Sequence, residues 1–89
     1  MSNQAAFKVE YDHIAELYLG GRVAWVWAVH EVAAVVIASG NADEAFEQPL
    51  GGLWEADLEL ELRRSEPWGR TDEEFAEVVR VACVAQLQW

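Results

Sequence analysis

Glu55, Asp57, Glu59 and Glu61 fall at every second position, with Ala56, Leu58, Leu60 and Leu62 between them. In an extended strand, that alternation places four carboxylates on one face and apolar side chains on the other. Same-face side chains then repeat at about 6.8 Å, close to the axial advance of two phosphate steps along one DNA strand. Such a row offers a basic groove the charge pattern of a nucleic-acid backbone. The same row also suits an outer face that simply stays hydrated. Four like charges repel, and Asp and Glu are poor strand formers, so either water or a basic partner must accommodate them.

Other reactive side chains lack partners at useful spacing. Tyr11-Asp12-His13 and His30-Glu31 supply imidazoles and carboxylates. There is no His-Glu-x-x-His, no cysteine pair and no calcium-loop spacing, so neither a metal site nor a cofactor is expected. Asp12 reads better as a cap or turn residue, and His30 as a hydrogen-bonded residue at a bend. Cys83 sits among Val81, Ala82 and Val84, an apolar setting that raises a thiol pKa and makes it inert. Ser39 and Ser65 lie in turns without a glycine elbow. The pairs Gly20-Gly21 and Gly51-Gly52 are turn signals without a phosphate-loop pattern. No carboxylate pair is marked out for acid–base work, so the chain is not expected to be an enzyme. Trp68, between Pro67 and Gly69, suits an interface anchor and a core position equally. Trp89 is expected to dock back on the core.

These side chains must be carried by one domain, residues 1–89, of modest core depth. Apolar residues make up 53% of the chain and include five tryptophans. That supply of apolar surface opposes disorder. A formal net charge of −10 favours solubility, argues against direct contact with nucleic acid or anionic lipid, and permits steering toward a basic protein. A single cysteine excludes an internal disulfide and fits a reducing, cytoplasmic setting. The first residues lack a secretory pattern. Val23–Ala38 is apolar except for His30 and Glu31. It is short for a membrane span and carries an ionisable pair at its middle, so no membrane partner is expected.

Along the chain, Phe7, Val9 and Tyr11 alternate with Lys8, Glu10 and Asp12 and suggest a first strand. Residues 12–19 fit either a helix ending at Gly20 or a strand turning at Gly20-Gly21. Val23–Val29 and Val32–Ala38 have the β-branched and aromatic content of buried strands. One strand through both would exceed about 50 Å at roughly 3.3 Å per residue. The segment therefore bends near His30, or it is a single helix over 22–39 with valines recurring every third residue. Residues 42–48 suggest one or two helical turns with Phe46 inward, stopped by Pro49. Thr71 and Glu74 form a capping box for a helix over about 72–87. Phe75, Val78, Val79, Ala82 and Ala85 would make its apolar face. The expected fold is α+β: a small antiparallel sheet with this C-terminal helix packed on one face.

In size, charge and lack of catalytic motifs, the chain resembles small acidic phage and bacterial proteins that block a larger machine. These are anti-restriction, anti-CRISPR and toxin-immunity proteins. That resemblance implies a non-catalytic inhibitor that occludes a basic surface of a nucleic-acid-binding protein complex, by DNA mimicry in one form. Glu55, Asp57, Glu59, Glu61 and Trp68 are the expected partner-binding residues. The competing expectations are a structural subunit or homo-oligomeric interaction module, and a toxin-immunity protein.

Overall fold

A computed structural model of the chain describes residues 4–53 and 71–89. Helix α1 spans Gln4–Leu19 and buries Phe7, Tyr11, Ile14 and Ala15, an i, i+4, i+7, i+8 stripe. The strand expected over Phe7–Tyr11 is therefore overturned. Phe7 and Tyr11 stack along one helix face, with ring centroids 5.9 Å apart, whereas Val9, the third member of the alternation, is 71% exposed. Asp12 is not a cap: it lies inside α1, one turn from Lys8, whose Nζ donates to its carboxylate at 2.8 Å. Gly20-Gly21 ends the helix instead of turning a hairpin. The Arg22 N–H donates to the Leu17 carbonyl and the Gly21 N–H to that of Tyr18, each at 3.0 Å. Gly21 adopts φ 73°, the left-handed conformation this helix stop requires.

Helix α2 spans Trp25–Ser39 without a break and buries Ala28, Val29, Val32, Ala33 and Val36. Of the two readings of 22–39, the single helix holds, and the bend expected at His30 does not occur. A period near three and a half residues brings Val29, Val32 and Val36 onto one face, and tertiary burial outweighs the strand preference of the valines. The helix ends at Gly40, at φ 66°. Among the described residues, no helix is long and apolar enough to cross a membrane.

A short helix α3, Ala42–Ala45, follows. Ala45 is its inward residue, while Phe46, expected inward, is 42% exposed. Pro49 does not simply stop this segment. It opens a 3₁₀ turn, Pro49–Gly52, where its fixed φ and missing N–H are tolerated at the first position. Leu50 and Gly51 are buried in that turn.

Helix α4 spans Asp72–Gln88 behind the expected capping box. The Glu74 N–H donates to Thr71 Oγ1, and the Thr71 N–H donates to the Glu74 carboxylate, both at 3.2 Å. Phe75 and Val79 are buried as expected, joined by Cys83 and Gln86. This helix packs chiefly across α1 and not on a sheet. Trp25 stacks on Phe75, with centroids 4.7 Å apart and planes within 5°, which ties the start of α2 to α4. The expected α+β fold is thus corrected to an all-helical one: every regular element among the described residues is a helix. The core lies where α1, α2, α4 and the 3₁₀ turn meet, around Tyr11, Val32, Leu50, Phe75 and Val79.

Candidate functional site

Glu55, Asp57, Glu59, Glu61 and Trp68, expected to contact a partner, lie outside the described residues. What the described helices show is how the remaining charge is arranged. Sixteen carboxylates face six cationic side chains over the whole chain. Among the described residues, Lys8 and Arg80 are already engaged. Lys8 pairs with Asp12 and also donates to the Gln86 carbonyl at 2.9 Å. Arg80 pairs with Glu77 through two hydrogen bonds, one of them 2.9 Å long. That guanidinium holds the Glu77 carboxyl below its ordinary pKa, mainly by hydrogen bonding. The pair is exposed, so it adds little stability.

Among the described residues, carboxylates gather at two places. Asp72, Glu73 and Glu74 occupy the first turn of α4, where the helix dipole favours negative charge. Asp43, Glu44 and Glu47 cluster around α3, against the start of α1. Gln4 Nε2 donates to the Glu44 carbonyl at 2.8 Å and to the Glu47 carboxylate at 2.9 Å.

A chain of amides holds this second corner in place. Gln48 is extended, with φ −97° and ψ 153°, as the residue before a proline prefers. Its side chain is buried, and its Nε2 donates to the backbone and side-chain oxygens of Gln4, both at 2.8 Å. Buried Gln86 of α4 donates to Gln48 Oε1 at 2.7 Å and accepts from the Leu50 N–H at 3.1 Å. Tyr11 adds a 3.1 Å hydrogen bond to the Ala45 carbonyl. Residues 45–50 are thereby bolted to both α1 and α4. Sequence reasoning missed the two glutamines, because nothing local distinguishes a buried amide from a surface one.

Nucleophilic chemistry finds no support in the core. Cys83 is fully buried, and desolvation pushes its thiol up to about 11. The Tyr11 phenol is pushed up to about 12 by the same cause. His30 lies on the exposed side of α2 and Asp12 is committed to Lys8. Among the described residues, no group of three metal-ligating side chains comes together. Trp89, expected to dock on the core, is 52% exposed, and its backbone N–H donates to the Gln86 carbonyl at 3.2 Å.

Apolar depressions open on the surface of the described helices. An open groove of about 370 Å³ lies between Ala6, Phe7 and Glu10 of α1 and Ala34, Val35 and Ala38 of α2. A second depression of about 380 Å³, lined by Val36, Ile37, Gly40, Ala42 and Phe46, lies where α2 turns into α3. Ile37 there is 68% exposed. Neither feature is visible along the sequence, because each combines residues of two helices. No protein-family model, no curated protein and no solved structure matches this chain.

Proposed function

We propose that this chain is a small, acidic, non-catalytic binding protein that occludes a basic surface of a protein partner. The observation that carries the reading is the charge balance of its surface. The chain has a net charge of −10, and Lys8 and Arg80 are neutralised by Asp12 and Glu77 on their own helices. A field of that sign speeds encounter with a basic partner and disfavours anionic ones. The acidic corner at Asp43, Glu44 and Glu47 is held by the buried amide chain, so part of that field is fixed in space before any partner arrives. Where the partner binds nucleic acid, inhibition follows from competition for its phosphate groove. Glu55, Asp57, Glu59 and Glu61 belong to the same reading as further contacts.

Capture from host lysate tests it. The wild-type chain is compared with a variant carrying Glu55→Gln, Asp57→Asn, Glu59→Gln and Glu61→Gln. The expected result is a basic protein retained by the wild type and lost by the variant. An identical set of captured proteins would leave the four carboxylates as solubilising decoration.

A second reading, a homo-oligomeric interaction module, is favoured by the exposed Ile37 and Phe46 at the α2–α3 corner. Apolar side chains grouped at a surface mark interfaces more often than scattered ones do. Sedimentation velocity separates the two readings: a monomer at micromolar concentration removes an obligate oligomer.

A further inference from the structure

The α1–α2 groove goes beyond a general acidic surface, and we propose that it seats a basic amphipathic helix of a protein partner. The inference rests on the reading of the chain as an acidic binder. It adds the seat and the shape of the bound segment.

Shape comes first. The residues Gly20 to Ala24 join α1 to α2, and the start of α1 lies beside the end of α2, with Ala6 and Phe7 opposite Ala34 and Ala38. The two helices therefore run antiparallel, and the groove spans little more than one turn of each, residues 6–10 of α1 and 34–39 of α2. Its walls are short side chains, Ala6, Ala34 and Ala38, over a floor that includes buried Phe7. Short walls let a third helix approach closely, toward the low end of the roughly 8–10 Å spacing of packed helices. They also leave room for larger apolar anchors from the occupant. An extended peptide is disfavoured, because the backbone groups of α1 and α2 are spent within the helices and offer no sheet edge to pair with.

Charge selects the occupant. Glu10 lines the groove on the α1 side. Glu31 lies one turn before Val35 on the same flank of α2, by helical spacing. Lys8, the chain's single lysine, is already bound to Asp12 and to the Gln86 carbonyl. A helix with an apolar seam flanked by Lys or Arg is complementary to this arrangement. A second copy of the chain is not: each copy carries a net charge of −10 and would oppose carboxylate to carboxylate.

The probe is a fluorescent synthetic helix of about 18 residues, or five turns, with leucines along one seam and lysines on both flanks. The controls are a scrambled peptide of the same composition and a seamed peptide with glutamates in place of the lysines. Ala34→Trp and Ala38→Trp fill the groove without changing charge. Each is expected to weaken binding of the seamed lysine peptide by at least about tenfold while leaving the scrambled one unchanged. Amide NMR shifts of the wild type, which need no variant, are expected at Ala6, Glu10, Ala34 and Ala38. Shifts confined to other surfaces would overturn the proposal, and so would equal binding of the seamed and scrambled lysine peptides. In either case the acidic reading would stand. Failure of both lysine peptides to bind would remove that reading as well. Equally tight binding of the glutamate peptide overturns the charge argument. A wild-type dimer that Ala38→Trp dissociates would assign the groove to a second copy and overturn the proposal.

Discussion

Replacing Gln86 with leucine should be among the most damaging single changes in this chain, although the two side chains are similar in size. Gln86 is fully buried. Its Nε2 serves Gln48 Oε1 at 2.7 Å, and its Oε1 receives the Leu50 N–H at 3.1 Å. Leucine satisfies neither group. A buried polar group left without a partner costs about 1–3 kcal/mol, so two of them cost roughly 2–6 kcal/mol. The added apolar burial returns part of that, about 1–2 kcal/mol. Taking the middle of each range, a net loss of roughly 2.5 kcal/mol is expected, a large share of the ~5–15 kcal/mol that holds a typical domain together. For a domain of this size that corresponds to a fall in Tm of roughly 10–20 °C. Urea denaturation should show the midpoint falling with the slope unchanged. The double variant Gln48→Leu with Gln86→Leu should lose less than the sum of the single changes, because each single change already breaks the hydrogen bond the two amides share. Stability of Gln86→Leu within ~0.5 kcal/mol of wild type would refute the argument that these amides clamp residues 45–50 between α1 and α4.

Other perturbations follow from the same structure. Gly51→Ala should prevent the 3₁₀ turn from docking, because its Cβ would lie 1.9 Å from the Ala45 carbonyl oxygen. Loss of the cooperative thermal transition is the expected readout, and an unchanged Tm would contradict it. Thr71→Ala removes the hydroxyl half of the capping box and should cost about 1 kcal/mol by denaturant titration, with helical content lost first at the start of α4. In alkali, the unfolded Cys83 thiol loses its proton near 9.0, while the folded one keeps it to about 11. Between those values the folded state binds more protons, so stability falls as pH rises, by up to about 1.4 kcal/mol per pH unit from this group. Cys83→Ala should remove this contribution, leaving the slope that begins near pH 10 as Tyr11, whose phenol is raised from 10.0 to about 12, and Tyr18, which burial also raises, lose their protons in the unfolded chain.

The parts of the fold that were legible beforehand are those with signals only a helix uses. The Thr71–Glu74 box and the acidic first turn place α4 within a residue of where it stands. The valine spacing over 23–35 supports α2 as one of two readings, and β-branched content pointed the other way. Propensity is the weaker term: five buried side chains on one face of α2 outweigh it. In α1, Phe7 and Tyr11 satisfy a two-residue and a four-residue repeat alike. Only Val9 favoured the strand, and it proves to be exposed. The candidate site was less legible. The α1–α2 groove exists only once Ala6 meets Ala38, a tertiary juxtaposition that no periodicity encodes. Excess negative charge, by contrast, was readable from composition alone, and it carries the functional reading in both views.

The central claim is that charge drives partner binding, and its most direct test is affinity as a function of salt. The captured basic partner is titrated against the wild-type chain by calorimetry between about 0.1 M and about 1 M salt, as the Debye length shrinks from ~10 Å to ~3 Å. The Kd is expected to rise steadily across this range. A Kd that stays constant from the lowest to the highest salt would contradict it.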